Sequence, residues 1–426
     1  MSDKPPQQDL RDQLTGILSS RFAPLKTFLK SNRGQAEQIG FILIIVAVLS
    51  LFTLAQVQFA PQVRNTAEIE HGSQVISDYQ DIHGDTLTAS LSGQRGSSVL
   101  QMGSSYPTYL ILAHPPDPGG TLRTSDSKTL EISNAQALND ETAQFVDGDT
   151  QTFDHHSLRY SPRYNEFESA GDTVIEQGTL YQDFDSNVEI LGTPNIVEGN
   201  RITLTASTGD ISIGTTTSRL VETTALSASQ ETVIVEDDGD PIKIEFESDL
   251  SASKWEQILQ PEIDEGGSSL NDRYITDVSD GGGNTVVLTL QEDETYELNK
   301  AKLGYKLGEQ AAFPASEDPD VKYLTTDQAT ETTVQAGGTL EFTVETHDKF
   351  SNSVSNVVVD GAAVEGSVTA VSRVTRSDGT ATFIYEAPDS SALSGDVTDQ
   401  VEIFIDSSSL PTDQSTVTFE VTVQDT

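Results

Sequence analysis

Six histidines and no cysteine set the first limits on the chemistry open to this 426-residue chain. Without thiols there is no disulfide, no thiolate metal site and no cysteine nucleophile. The histidines form one cluster, Asp154-His155-His156. Adjacent side chains on a strand point to opposite faces, so these two imidazoles are not expected to share a metal. Two acidic turns invite a calcium reading: Asp237-Asp238-Gly239-Asp240, and Asp277 through Asp280-Gly281-Gly282-Gly283. A calcium loop needs oxygen ligands at alternate positions and a closing glutamate, which neither stretch offers. Both read as hairpin turns. No G-x-S-x-G elbow, phosphate loop, H-E-x-x-H helix or dinucleotide fingerprint occurs. Carboxylates are too numerous for any pair to stand out. The chain is therefore expected not to be an enzyme, with no catalytic or metal-ligating residue and no cofactor.

The elements that would position any chemistry are set by two features, charge and one apolar run. The net charge is −43. Residues 1–36 carry six Lys/Arg against three Asp/Glu, which leaves −46 on the remainder. A surface so acidic repels nucleic acid and anionic lipid, so neither is expected as a partner. The acidity is spread along the chain, as in proteins adapted to molar salt, and a halophilic source is expected. No N-x-[ST] sequon is present.

From Ile39 to Ala55 no residue is charged and nearly all are apolar. As a helix this run is ~26 Å long, and continuing to Ala60 reaches the ~30 Å of a hydrocarbon core. A transmembrane helix is expected over 35–60, contacting the membrane through Ile39–Ala60. Lys4, Arg11, Arg21, Lys26, Lys30 and Arg33 precede it, whereas only Arg64 occurs in the twenty residues after Ala60. The basic flank places the N-terminus in the cytoplasm and the bulk of the chain outside, a single-pass arrangement. The leader also has apolar residues at helical spacing, Leu10, Leu14, Leu18, Phe22, Leu25 and Leu29, divided by Pro24. Beyond the span, Val63 to about Ala89 reads as a further helix with Ile69, Ile76, Tyr79, Ile82 and Leu87 on one face.

The stretch Arg33-Gly34-Gln35-Ala36-Glu37-Gln38-Ile39-Gly40, entering directly into the apolar run, resembles the N-terminus of archaeal pilins and archaellins. That resemblance implies cleavage next to Gly34 by a prepilin-type peptidase, with Glu37 near the new N-terminus. It also implies a retained helix that either anchors the protein or packs into a filament with pilin partners. Further segments are similar to those of uncharacterised haloarchaeal pilin-like surface proteins: Glu68-Ile69-Glu70-His71, Ser105-Tyr106-Pro107, His114-Pro115-Pro116, Tyr164-Asn165-Glu166 and Thr295-Tyr296-Glu297-Leu298. The family brings no established activity, and His114 stands where it has Asn.

The remaining chain alternates apolar and polar residues in short runs. The expected fold class is mainly β: a central antiparallel sandwich or barrel over 93–310 and an immunoglobulin-like sandwich over 322–426. Before them lie a leader (1–34), the span (35–60) and a helical stalk (61–92), and a linker (311–321) joins the two β domains. One helix interrupts the central region near Ser251–Gln260, with Trp255, Ile258 and Leu259 on its core face. Asp348-Lys349-Phe350-Ser351-Asn352-Ser353-Val354 and Ser377-Asp378-Gly379-Thr380-Ala381 resemble the turns of bacterial invasin-type immunoglobulin-like repeats, with Ser353 where those have Pro. The function expected is a pilin-like, membrane-anchored surface structural protein. The alternative is a surface adhesin or receptor for glycan or protein that does not polymerise.

Overall fold

The computed structural model describes residues 36–106, 116–184, 186–264, 273–313, 320–405 and 410–425, without the side chains of 36–38 and 55–60. The leader, Arg33, Gly34, Gln35, the side chain of Glu37, His114 and most of the linker lie outside the described residues. The chain divides into two units, Met1–Val63 and Arg64–Thr426.

Helix α1 runs from Ala36 to Ser92 and continues past Pro61 within it. In the first unit its described side chains from Ile39 to Leu54 are nearly all apolar and mostly exposed, with Ile39 at 59% and Leu43 at 62%, while Ile44, Val48 and Phe52 are half-buried. Ser50 and Thr53 turn their hydroxyls back onto the carbonyls of Val46 and Leu49, four residues earlier, at 2.7 and 2.8 Å. Among the described residues no helix is long and apolar enough to cross a membrane. The expected transmembrane helix over 35–60 is therefore not supported by the described residues.

In the second unit, the later part of α1 buries one face: Glu68, His71, Val75, Tyr79, Ile82, Thr86 and Ala89. The steps of three and four residues follow the helical period. The expected apolar stripe is corrected here. Tyr79 and Ile82 are buried, but Ile69 is 46% exposed and Ile76 and Leu87 are only half-buried. Val75, Tyr79 and Ile82 share a core with Leu122, Tyr160, Ile175, Leu180 and Tyr305 from the sheets beneath.

The central region is mainly β but is not one antiparallel sandwich. Among the described residues it holds three sheets, of seven, six and five strands. The 12-residue strand Tyr296–Leu307 is the hub of the first. It pairs antiparallel with Arg219–Ser227 and Val233–Asp237, and parallel with Arg201–Gly209. The five-stranded sheet carries helix α2 (Ala252–Leu259) against it. Trp255 is fully buried there, edge-on to Phe246 and Tyr181, and its indole N–H donates to Ser248 Oγ at 2.8 Å.

The described residues from 320 to 425 form two four-stranded sheets. One runs Val321–Thr325, Thr339–Asp348, Thr380–Glu386, Ser367–Ala370. The other runs Glu331–Gln335, Thr416–Gln424, Val397–Ile405, Val359–Ala363. This is the strand order of an immunoglobulin-like sandwich, with the first strand shared between both sheets and its second half parallel to the last strand. Alternate residues Val417, Phe419, Val421 and Val423 line one sheet face beside Val401, Ile403 and Ile405, and share a core with Phe342, Val344 and Phe383 of the other sheet. The alternating run Ser355–Val359 contributes only its last residue to a strand, Val359–Ala363. Asn356 sits at φ 62°, a left-handed conformation that breaks an extended run.

Candidate functional site

The residues singled out for chemistry in the sequence are structural where described. His155 is fully buried, its Nε2 3.1 Å from the Glu247 carbonyl. Burial pulls its imidazole down to about 4, so it is neutral at ordinary pH. His156 turns away and donates from Nδ1 to the Ser125 carbonyl at 2.7 Å. In the two acidic turns, Asp237 and Asp280 accept the N–H groups of Gly239 and Gly282 at 3.1 and 2.8 Å. The glycines at φ 105° and 87° complete ordinary turns.

Glu68–His71, Ser105-Tyr106 and Tyr164–Glu166 come together where α1 meets the six-stranded sheet, whereas Tyr296–Leu298 belongs to the seven-stranded sheet. Glu68 is fully buried and accepts the N–H groups of Asn165, Glu166 and Phe167 at 2.7, 2.9 and 2.7 Å, and the Tyr106 hydroxyl. Burial pushes its carboxyl up, but these four donors outweigh that and hold it below the usual range. One turn on, His71 Nε2 lies 2.8 Å from the Gln101 carbonyl and Nδ1 lies 2.7 Å from the Tyr164 hydroxyl. A carbonyl only accepts, so Nε2 carries the proton and Nδ1 receives the tyrosine's. Asp78 accepts the Gln101 N–H at 2.7 Å, and His83 Nε2 donates to the Gly178 carbonyl at 2.7 Å. Every one of these polar groups has a protein partner, which leaves none free to recognise a ligand. The apolar cavity beside them is ≈ 130 Å³, below the several hundred of a ligand pocket.

A second set of buried polar groups joins the central region to the immunoglobulin-like domain. The turn 348–353, matched above to invasin-type repeats, docks there. The Asp348 carboxylate accepts the N–H groups of Phe350 and Asn352 at 2.7 and 3.1 Å, closing the turn. Asn352 Nδ2 donates to Ser227 Oγ and the Lys300 carbonyl at 2.7 and 2.8 Å. Phe350 packs on Phe153 with ring centroids 4.9 Å apart. Lys300 is fully buried, its ammonium 2.9 Å from Gln151 Oε1, and burial pulls it down to about 7.

At the same junction Glu231 meets Glu345 and His347. The last two sit two residues apart on Thr339–Asp348 and so share a face. One ligand atom from each residue lies within 4.8 Å of the others. His347 is 4% exposed and is stacked on Tyr323, which in turn stacks on Phe145, both at 4.8 Å. Its Nδ1 is 3.1 Å from Glu231 Oε2 without hydrogen-bond alignment, and its Nε2 has no partner. Burial and the neighbouring Glu231 push Glu345 up to about 9, so it retains its proton. Against burial, contacts from His347, Glu345 and Ser353 hold Glu231 low. Sequence reading missed this site because Glu231 is distant in the chain. The local signal was Glu345-Thr346-His347, two donors spaced for one strand face.

No family model and no curated protein matches the chain. Among solved structures it is similar to domains 4 and 5 of the S-layer protein SbsC, at 12% identity and TM-score 0.19, over 33% of this chain and 64% of that one. It is similar to the D0-D1 domain of intimin at 12% identity and TM-score 0.19, over 44% and 91%. It is also similar to invasin, a bacterial integrin-binding protein, at 11% identity and TM-score 0.18, over 78% and 60%. The chain thus spans less than two thirds of the SbsC fragment. The immunoglobulin-like assignment stands on the strand order itself.

Proposed function

We propose that this chain is a membrane-anchored structural protein of the cell surface, pilin-like at its N-terminus, with its β domains outside the cell. The observation that supports this most is the exposed apolar girdle of α1 from Ile39 to Leu54, whose only hydroxyls are bonded back to the helix. Such a surface is suited to lipid or to a bundle of like helices. The clamp at Glu68 and His71 supports the other half of the reading, since it ties the later turns of the same helix to the β domains. Ile39–Ala60 would span the membrane once, with the basic leader in the cytoplasm. A prepilin-type peptidase would cut beside Gly34, leaving Glu37 near the start of a helix able to assemble with pilin partners. The reading assigns no catalysis, no cofactor and no nucleic-acid partner. The acidic surface supports a halophilic source, and a melting temperature indifferent to KCl would count against that. A non-polymerising adhesin is the second reading, favoured by exposed Val358, Val364, Val371 and Val374 on the immunoglobulin-like domain.

Intact-mass measurement and electron microscopy of the native protein test this reading together. A start at Gly34 or Gln35 and helical filaments are expected for a pilin. A start at Met1 with lone particles would remove processing and assembly from it.

A further inference from the structure

We infer that Glu231, Glu345 and His347 form a binding site for a transition-metal dication of the zinc class, linking the central region to the immunoglobulin-like domain. Two carboxylates and an imidazole are a donor set that suits such a cation, whereas calcium and magnesium favour oxygen ligands alone. Geometry supports the site from both sides. Their ligand atoms already converge within 4.8 Å, so little movement is needed to close on one ion. The His347 ring is held by the Tyr323 stack and directs Nδ1 at the Glu231 carboxylate.

The independent observation is what His347 lacks. A buried imidazole normally satisfies both nitrogens, as His71 does, yet His347 Nε2 has no partner and Nδ1 has only the Glu231 carboxylate, 3.1 Å away. Two glutamates in contact are also unfavourable unless a proton or a cation lies between them. Binding would place a cation between the two carboxylates and give the buried imidazole a ligand bond.

The test uses the full chain in detergent, stripped with chelator, then dialysed against ZnCl2 in molar KCl with millimolar MgCl2 to occupy surface carboxylates. One tightly held zinc per chain is expected. Glu345→Gln and His347→Gln should each weaken it at least about tenfold, since loss of even an outer-shell partner costs that much. Glu345→Gln is isosteric with the glutamate, so its metal-free melting should stay close to wild type and decide the matter if His347→Gln fails to fold. Absence of stoichiometric zinc, or equal affinity in wild type and Glu345→Gln, would overturn the site. Displacement of zinc by equimolar CaCl2 would overturn the assignment of metal class.

Discussion

The α1 clamp and the junction with the immunoglobulin-like domain both bury charge, but they leave it in different states. At the clamp, Glu68 has four donors and His71 has a partner on each nitrogen. At the junction, His347 Nε2 has no partner, Nδ1 meets only the Glu231 carboxylate, and two glutamates face each other. A buried polar group costs free energy in proportion to the hydrogen bonds it fails to make. The first set therefore accounts for itself as structure, and the second calls for something more. The contrast separates residues that hold the fold from residues available to a ligand.

The largest effect expected is at the clamp. Glu68→Ala leaves three backbone N–H groups and a tyrosine hydroxyl without their acceptor, and should cost about 3–5 kcal/mol in denaturant unfolding. Hydrogen exchange should rise first in residues 64–92. A loss below about 1 kcal/mol would erase the distinction drawn above.

At the junction, Asn352→Ala removes two donated bonds, to Ser227 and to the Lys300 carbonyl, and should cost about 1–3 kcal/mol. Differential scanning calorimetry should then resolve the immunoglobulin-like domain as a separate, earlier transition. A single transition at the wild-type temperature would show that the turn 348–353 does not fasten the domain.

Acid sharpens the comparison with a smaller effect. Burial holds His71, His83 and His155 below the ordinary imidazole range. In the window below about pH 6.5, unfolded chains bind protons that the fold excludes, so stability falls as pH falls. For His155 the window extends to about pH 4, with Glu176 partly offsetting burial and Lys128 and His156 reinforcing it. The expected slope from that residue is about 1 kcal/mol per pH unit. His155→Gln should flatten it in urea titrations between pH 6 and about pH 4, and an unchanged slope would discount His155.

What could be read in the sequence follows from what periodicity encodes. Alternation located the strands of the immunoglobulin-like domain, because Val417, Phe419, Val421 and Val423 face one side. It also placed Trp255 in the core. Periodicity says nothing about partners, so three sheets and the parallel pairing of Arg201–Gly209 with Tyr296–Leu307 were not visible. On α1, an apolar stripe was sought, but the buried face carries Glu68, His71, Asp78 and His83. A polar residue reads as solvent-facing until its partners are known, and those lie from 95 to 99 residues away for His83 and Glu68 at the far loops. The Glu231 cluster escaped for the same reason.

The account depends most on the chain being held in a membrane by its first helix with the β domains outside. Native cells in molar salt can be treated with protease, then lysed and fractionated, with antibodies against residues 1–30 and 400–426. The account predicts that the C-terminal epitope is lost from intact cells while the N-terminal one, if uncleaved, stays protected in the membrane fraction. A C-terminal epitope protected until lysis and recovered in the soluble fraction would contradict it.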